Sequence, residues 1–138
     1  MMQGLQARGA NAYIQTHVQS RSPLELVVML YDGALRFIGE ARSAIDRQDL
    51  PGRRAAMSRA LAIVGELQST LNMEQGGQIA SQLDGLYGYV NNRLLDATMK
   101  NDVAALDECA RLLGTVRAAW VEIAARDAAP AAAGPPAP

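Results

Sequence analysis

Side chains that could act as a nucleophile, a general base or a metal ligand are few in this chain and widely separated. The sequence contains one histidine and one cysteine. His17 lies in a polar stretch near the amino terminus and Cys109 lies at the spacing of a helix core position, so no Ser-His or Cys-His pair is indicated. Carboxylate-bound di-metal sites in helical bundles need Glu-x-x-His pairs, which one histidine does not supply. The sequence therefore predicts no enzyme, no metal and no cofactor; a motif-poor enzyme built on arginines and a carboxylate stays open as an alternative.

The overall composition indicates one domain that binds neither nucleic acid nor membranes. The 138 residues are 49% hydrophobic and 20% charged, with a formal net charge of −1. This length is sufficient for a substantial core, and a near-neutral charge gives no long-range attraction to nucleic acid or acidic lipid. No apolar run approaches the roughly 18 residues of a membrane span, and the amino terminus lacks the apolar centre of a signal peptide. We therefore predict a cytoplasmic protein.

The most strongly patterned segment is a helix that begins at Pro23. Ser22 is a good N-cap residue, proline fits the first helical position, and Glu25 stands where a capping box needs an acid. Two adjacent apolar rows continue to about Arg47. Because one helix with two apolar rows must contact neighbours on more than one side, this segment should lie at the centre of the packing.

Three further helices follow the same periodicity. Asp49 should cap the second, which ends at Asn72, and residues 74–77 should form a glycine loop. The third helix should begin at Gln78 and the fourth should follow Asn101 or Asp102 and end near Arg126. In the third helix one row is predicted to face the core, with Tyr87 and Tyr89 pointing elsewhere. That row is Ile79, Leu83, Leu86, Val90, Leu94 and Ala97.

Four long helices with short connections predict an all-α fold, an antiparallel up-and-down four-helix bundle over residues 21–126. Residues 1–20 are expected to form a mobile N-terminal arm, with a short helix as an alternative, that docks through Tyr13 and Ile14. Residues 127–138 are rich in Ala and Pro and predict a disordered C-terminal tail.

Several glycines fall inside the predicted helices, where each is unfavourable by up to about 1 kcal/mol relative to alanine. They either permit close helix packing or leave shallow grooves in which another helix could lie, and spacing alone leaves both interpretations open. The glycines are Gly33, Gly39, Gly65, Gly85, Gly88 and Gly114.

Four groups of short motifs occur in a fixed order between residues 9 and 124. They are Ala12-Tyr13, Ser22-Pro23 and Met29-Leu-Tyr-Asp-Gly-Ala34; then Arg59-Ala60, Ile63-Val-Gly-Glu-Leu67 and Leu71-Asn72; then Gly76-Gly-Gln-Ile-Ala80, Leu83, Leu86-Tyr87-x-Tyr89 and Arg93-Leu-Leu-x-Ala97; and finally Asn101-Asp102, Leu112-Leu113 and Ala119-Trp120. In this order and spacing the sequence resembles the flagellin-specific export chaperones of the FliS family.

This resemblance implies a cytoplasmic chaperone that binds the carboxy-terminal segment of flagellin in apolar surface grooves. Binding would prevent premature polymerisation and keep flagellin competent for type III export, and the arm would cover part of the groove when flagellin is absent. Contact with the export gate and a homodimer are open alternatives, as is a generic helical adaptor for another partner helix. The candidate flagellin-binding residues are Ile14 of the arm and the residues at matching motif positions, which are Tyr13, Tyr31, Ile79, Leu83, Leu86, Tyr87, Tyr89 and Arg93. Spacing favours a core position for Leu83 and Leu86, and partner contact for Tyr87 and Tyr89.

Overall fold

The structure, a computed structural model, describes residues 22–132, with side chains described as far as residue 126. This part of the chain consists of four helices joined by short turns. They are α1 (Pro23–Asp46), α2 (Leu50–Ser69), α3 (Met73–Lys100) and α4 (Val103–Ala132). The predicted all-α bundle is confirmed. The predicted arm and residues 133–138 of the predicted tail lie outside the described residues, and α4 continues past Arg126 to Ala132.

Polar side chains begin each helix. The amide of Glu25 donates to the Ser22 hydroxyl at 3.2 Å, and the amide of Gly52 donates to the Asp49 carboxylate at 3.0 Å. In both helices proline stands in the first turn, where a missing amide breaks no hydrogen bond. These starts agree with the sequence prediction because N-cap chemistry is local.

The region between α2 and α3 differs from the prediction. The second helix ends at Ser69, and Asn72 begins α3 instead of closing α2: its side-chain oxygen accepts from the Gln75 amide at 3.0 Å. The predicted glycine loop is therefore wrong, since α3 already starts at Met73. One residue of that segment does break the helix. Gly77 has φ 55°, a left-handed conformation that glycine adopts without strain, so the regular part of α3 begins at Gln78 as predicted.

The turn between α3 and α4 contains two polar residues, Asn101 and Asp102, that have different roles. Asn101, with φ 53°, ends α3 in the left-handed conformation, and the Asp102 carboxylate accepts from the Ala105 amide at 3.1 Å to cap α4. The sequence left open which of the two caps α4, and the structure places Asp102 there.

Consecutive helices pack side by side, and α1 also packs against α4. The helices therefore form a square, with α1 diagonal to α3 and α2 diagonal to α4. Residues from all four helices fill its centre, among them Ile38, Met57, Leu94 and Leu113. Cys109 is fully buried, as its spacing predicted, and burial raises the pKa of its thiol to about 11.

Candidate functional site

The structure separates the predicted site residues of α1 and α3 into three groups. Tyr31 and Tyr87 are fully buried. Leu83, Leu86 and Arg93 are partly buried, and Ile79 and Tyr89 are 67% and 44% exposed. Tyr13 and Ile14 lie outside the described residues.

The two buried tyrosines meet across the diagonal of the bundle. Their hydroxyl oxygens are 2.7 Å apart and their ring centroids 6.2 Å apart. Burial raises the pKa of both phenols, so both stay neutral. The prediction that Tyr87 faces away from the core is wrong, because the hydroxyl of Tyr31 provides the hydrogen-bond partner that an interior tyrosine needs. In this structure neither ring presents surface to a partner.

The prediction that Ile79 belongs to the core row is also wrong. The regular part of α3 starts just before it, and Ala80 occupies the buried position at this level. From Ala80 the buried row continues through Tyr87 and Val90 to Leu94. Ile79 is therefore left on the surface beside the partly buried Leu83 and Leu86.

These exposed residues lie along the junction of α3 and α4, the neighbouring pair with the least extensive contact. We call this junction the α3–α4 groove. The Cys109 thiol lies 3.8 Å from the carbonyl oxygen of Val90, which sets the antiparallel register and puts Ile79 level with Trp120. Helix periodicity and this register place the following residues on the side of the junction: Ile79, Leu86, Tyr89 and Arg93 on α3, and Glu108, Leu112, Ala119 and Ile123 on α4.

A polar cluster closes one end of the α3–α4 groove. The Tyr89 hydroxyl donates to the Glu108 carboxylate at 2.8 Å, and the Arg93 guanidinium donates to the other carboxylate oxygen at 2.7 Å. Hydrogen bonds from Arg93 and then Tyr89 lower the pKa of Glu108, and the same bond raises the pKa of Tyr89. At the other end of the groove the exposed side chains of Ile79 and Ile123 are apolar.

The polar cluster of Tyr89, Arg93 and Glu108 predicts a pH effect that can be measured at the carboxyl carbon of Glu108. In Arg93→Met we expect the pKa of Glu108 to rise toward its ordinary value, because the largest cause of its depression is removed. Because the pKa of Glu108 is lower in the folded state than in the unfolded state, its ionised carboxylate stabilises the fold at pH values above the ordinary pKa. That stabilisation is lost as the pH falls through the lowered pKa. Carboxyl ¹³C shifts in an acid titration measure this. Arg42→Met is the matched control, because Arg42 binds Asp107 at 2.8 Å and not Glu108. An equal shift in both variants would contradict the assignment.

Five of the six helical glycines are not explained by close packing. A Cβ atom added at any of these five would lie more than 4 Å from every atom of the neighbouring helices, so close packing does not require glycine there. Gly33 alone is buried. The interpretation that helical glycines leave open surface is therefore favoured for Gly39, Gly65, Gly85, Gly88 and Gly114.

Among the side chains of residues 22–126, no three His, Cys, Asp or Glu residues come close enough together to hold a metal ion. In the same range no helix is long and apolar enough to cross a membrane.

A four-helix bundle with exposed apolar side chains along one helix pair belongs to the class of folds that can bind a partner's amphipathic helix. The chain belongs to the FliS family of flagellar secretion chaperones: residues 6–127 match the family model described as flagellar protein FliS. It is 38% identical over 122 residues to the flagellar secretion chaperone FliS of Salmonella typhimurium, which covers 85% of this chain and 90% of that protein. It is 36% identical over 107 residues to FliSB of Pseudomonas aeruginosa, covering 78% and 85%. The Bacillus subtilis chaperone is 35% identical over 109 residues, covering 79% and 80%.

Proposed function

We propose that this chain is a cytoplasmic export chaperone that binds the carboxy-terminal segment of flagellin in the α3–α4 groove. The observation that carries the proposal is the 67% exposure of Ile79, next to Leu83 and Leu86, which pack against the core but are only partly buried. Exposed apolar surface rimmed by polar groups is typical of a protein-binding site. The family membership supports a secreted client.

The chemistry of such a groove suits a segment that folds as it binds. An amphipathic helix places apolar side chains three and four residues apart, which matches the Ile79, Leu83 and Leu86 row on α3. A client that is disordered when free loses conformational entropy on binding, so its affinity must come from a long buried contact. Covering the apolar face of the flagellin segment would prevent that face from contacting other flagellin molecules. No catalytic step is proposed.

In this proposal the N-terminal arm, residues 1–20, covers part of the groove when the client is absent. Tyr13 and Ile14 would occupy the apolar end of the α3–α4 groove until the client displaces them. Contact with the export gate would then depend on whether the client is bound. A homodimer formed through the same groove would compete with the client.

Titration with a peptide of the flagellin carboxy-terminal segment tests the proposal. We expect a gain of helical circular dichroism, a one-to-one endpoint and a change in the fluorescence of Trp120, the single tryptophan, which packs partly buried at the level of Ile79. A scrambled peptide of the same composition is the control. Binding of both peptides with equal affinity would favour a generic adaptor. With residues 1–20 deleted, association should be faster, and unchanged kinetics would refute the role of the arm.

A further inference from the structure

The junction of α1 and α2 forms a second groove, on the opposite edge of the square from the α3–α4 groove. We call it the α1–α2 groove. It is an open depression of about 690 Å³. Small residues form its floor, chiefly Gly39 and Ser43 of α1 and Gly52 and Ala55 of α2. A Cβ added at Gly39 would meet nothing within 4 Å. A floor without long side chains lets the backbone of another helix approach closely.

Arginines from two helices rim this groove. Arg36 comes from α1, Arg47 is the residue that follows the end of α1, and Arg59 comes from α2; Glu40 is the lining carboxylate. Arg36 is bound to Glu40 at 3.3 Å, and Arg47 is bound to Asp49 at 3.3 Å.

Arg59 is the arginine of this rim that lacks a carboxylate partner among the described residues. Its guanidinium lies 5.6 Å from the centroid of the Phe37 ring, and the guanidinium of Arg36 lies 5.4 Å from the same centroid. Arg36 is already paired with Glu40, so Arg59 is the cation of this rim that a carboxylate from a partner would neutralise. The rim therefore favours a partner that carries a carboxylate at this position.

The chain's own terminal segments do not fit this groove. Residues 1–21 contain Arg8 and Arg21 and no carboxylate side chain. The pairing of Asp32 with Arg117 puts Arg36 level with Leu113, about 28 Å along the axis from Ala132. Residues 133–138 carry no carboxylate side chain either. We therefore look for the acidic occupant in a second protein.

We infer that the α1–α2 groove is a docking site for an acidic amphipathic helix of a second protein. Its small-residue face would lie on Gly39 and Ser43, and one of its carboxylates would pair with Arg59. Because this groove and the α3–α4 groove lie on opposite edges of the bundle, the helix and the client would bind at the same time.

The probe is a capped, fluorescein-labelled peptide of about 16 residues, with alanines on one face and glutamates flanking it. Its partner probe replaces every glutamate with glutamine. By fluorescence anisotropy, the acidic peptide should bind at least about tenfold more tightly than the neutral one, and raising NaCl from about 50 to about 300 mM should weaken it several-fold. Equal binding of the two peptides would overturn the inference.

Variants locate the site. Arg59→Glu should weaken the acidic peptide about tenfold or more. Arg54→Glu is the matched control, because Arg54 is exposed on the same helix, makes the same charge change and does not line the groove. Gly39→Leu should block binding sterically with no change of charge, and circular dichroism confirms that each variant is folded. Equal loss in Arg54→Glu would mean nonspecific charge attraction.

Two measurements decide the identity of the occupant. Saturating the chain with the flagellin segment should leave the affinity for the acidic peptide unchanged, and competition would overturn the separate site. Sedimentation equilibrium without peptide gives the oligomeric state of the parent chain and of Arg59→Glu. Self-association that is present in the parent chain and abolished by Arg59→Glu would make a second copy of this chain the occupant and would overturn the inference.

Discussion

Replacing Tyr87 with alanine is expected to lower the free energy of unfolding by about 3–5 kcal/mol, the range for removing a buried aromatic side chain. The side chain is 1% exposed, and its loss leaves a cavity at the centre of the square. The variant also leaves the Tyr31 hydroxyl without the partner that lies 2.7 Å away, and an unpaired buried hydroxyl adds about 1–3 kcal/mol to the cost. Urea denaturation followed by helical circular dichroism measures the change.

Tyr89→Ala is the matched control, two residues along the same helix. Tyr89 is 44% exposed, so its removal opens no cavity and the urea midpoint should stay close to that of the parent chain. If the two variants were equally stable, the assignment of Tyr87 to the core would be incorrect.

The second large effect is expected in client binding. Ile79→Asp should weaken the flagellin segment by about 100-fold, because a carboxylate buried against an apolar helix without a partner is strongly unfavourable. The fold should be retained, since Ile79 is 67% exposed and an acidic residue near the start of the regular part of α3 is favoured by the helix dipole. Isothermal titration with the flagellin peptide gives the affinity.

Met99→Asp makes a comparable apolar-to-charged change at the other end of α3. Met99 is 83% exposed and lies near the end of α3 away from the apolar end of the α3–α4 groove, so its substitution should leave client affinity unchanged. Comparable losses in both variants would show that the client contacts the whole outer face of α3. No loss in either would place the client site elsewhere on the bundle.

These effects follow from how the bundle divides its apolar residues. The core contains alanines such as Ala34 and Ala60, larger side chains such as Leu94, and the tyrosine pair. Other large apolar residues, such as Ile79 and Leu95, are left exposed. The two opposite junctions then differ in chemistry: the α3–α4 groove is apolar with a self-satisfied polar cluster, and the α1–α2 groove is lined by small residues and rimmed by arginines.

The amino-acid sequence by itself determined the helices and the family. The starts of α1 and α2 were predictable from Ser22 and Asp49, because a cap is an interaction between residues three apart. Apolar periodicity predicted four amphipathic helices, and short connections predicted antiparallel neighbours. The ordered motifs carried the resemblance that the family match confirmed. Asn72 was misassigned because the same residue type both ends and begins helices.

Only the tertiary structure decided which side of α3 faces inward. Periodicity places Ile79 and Tyr87 on rows less than a quarter-turn apart, and the choice between them depends on Tyr31, 56 positions earlier in the chain. The arginine rim has the same origin, since Arg36 and Arg59 come together through packing of α1 on α2. Local sequence patterns determine that a segment is helical. The rotation of the helix about its own axis is determined by the side chains of other helices against which it packs.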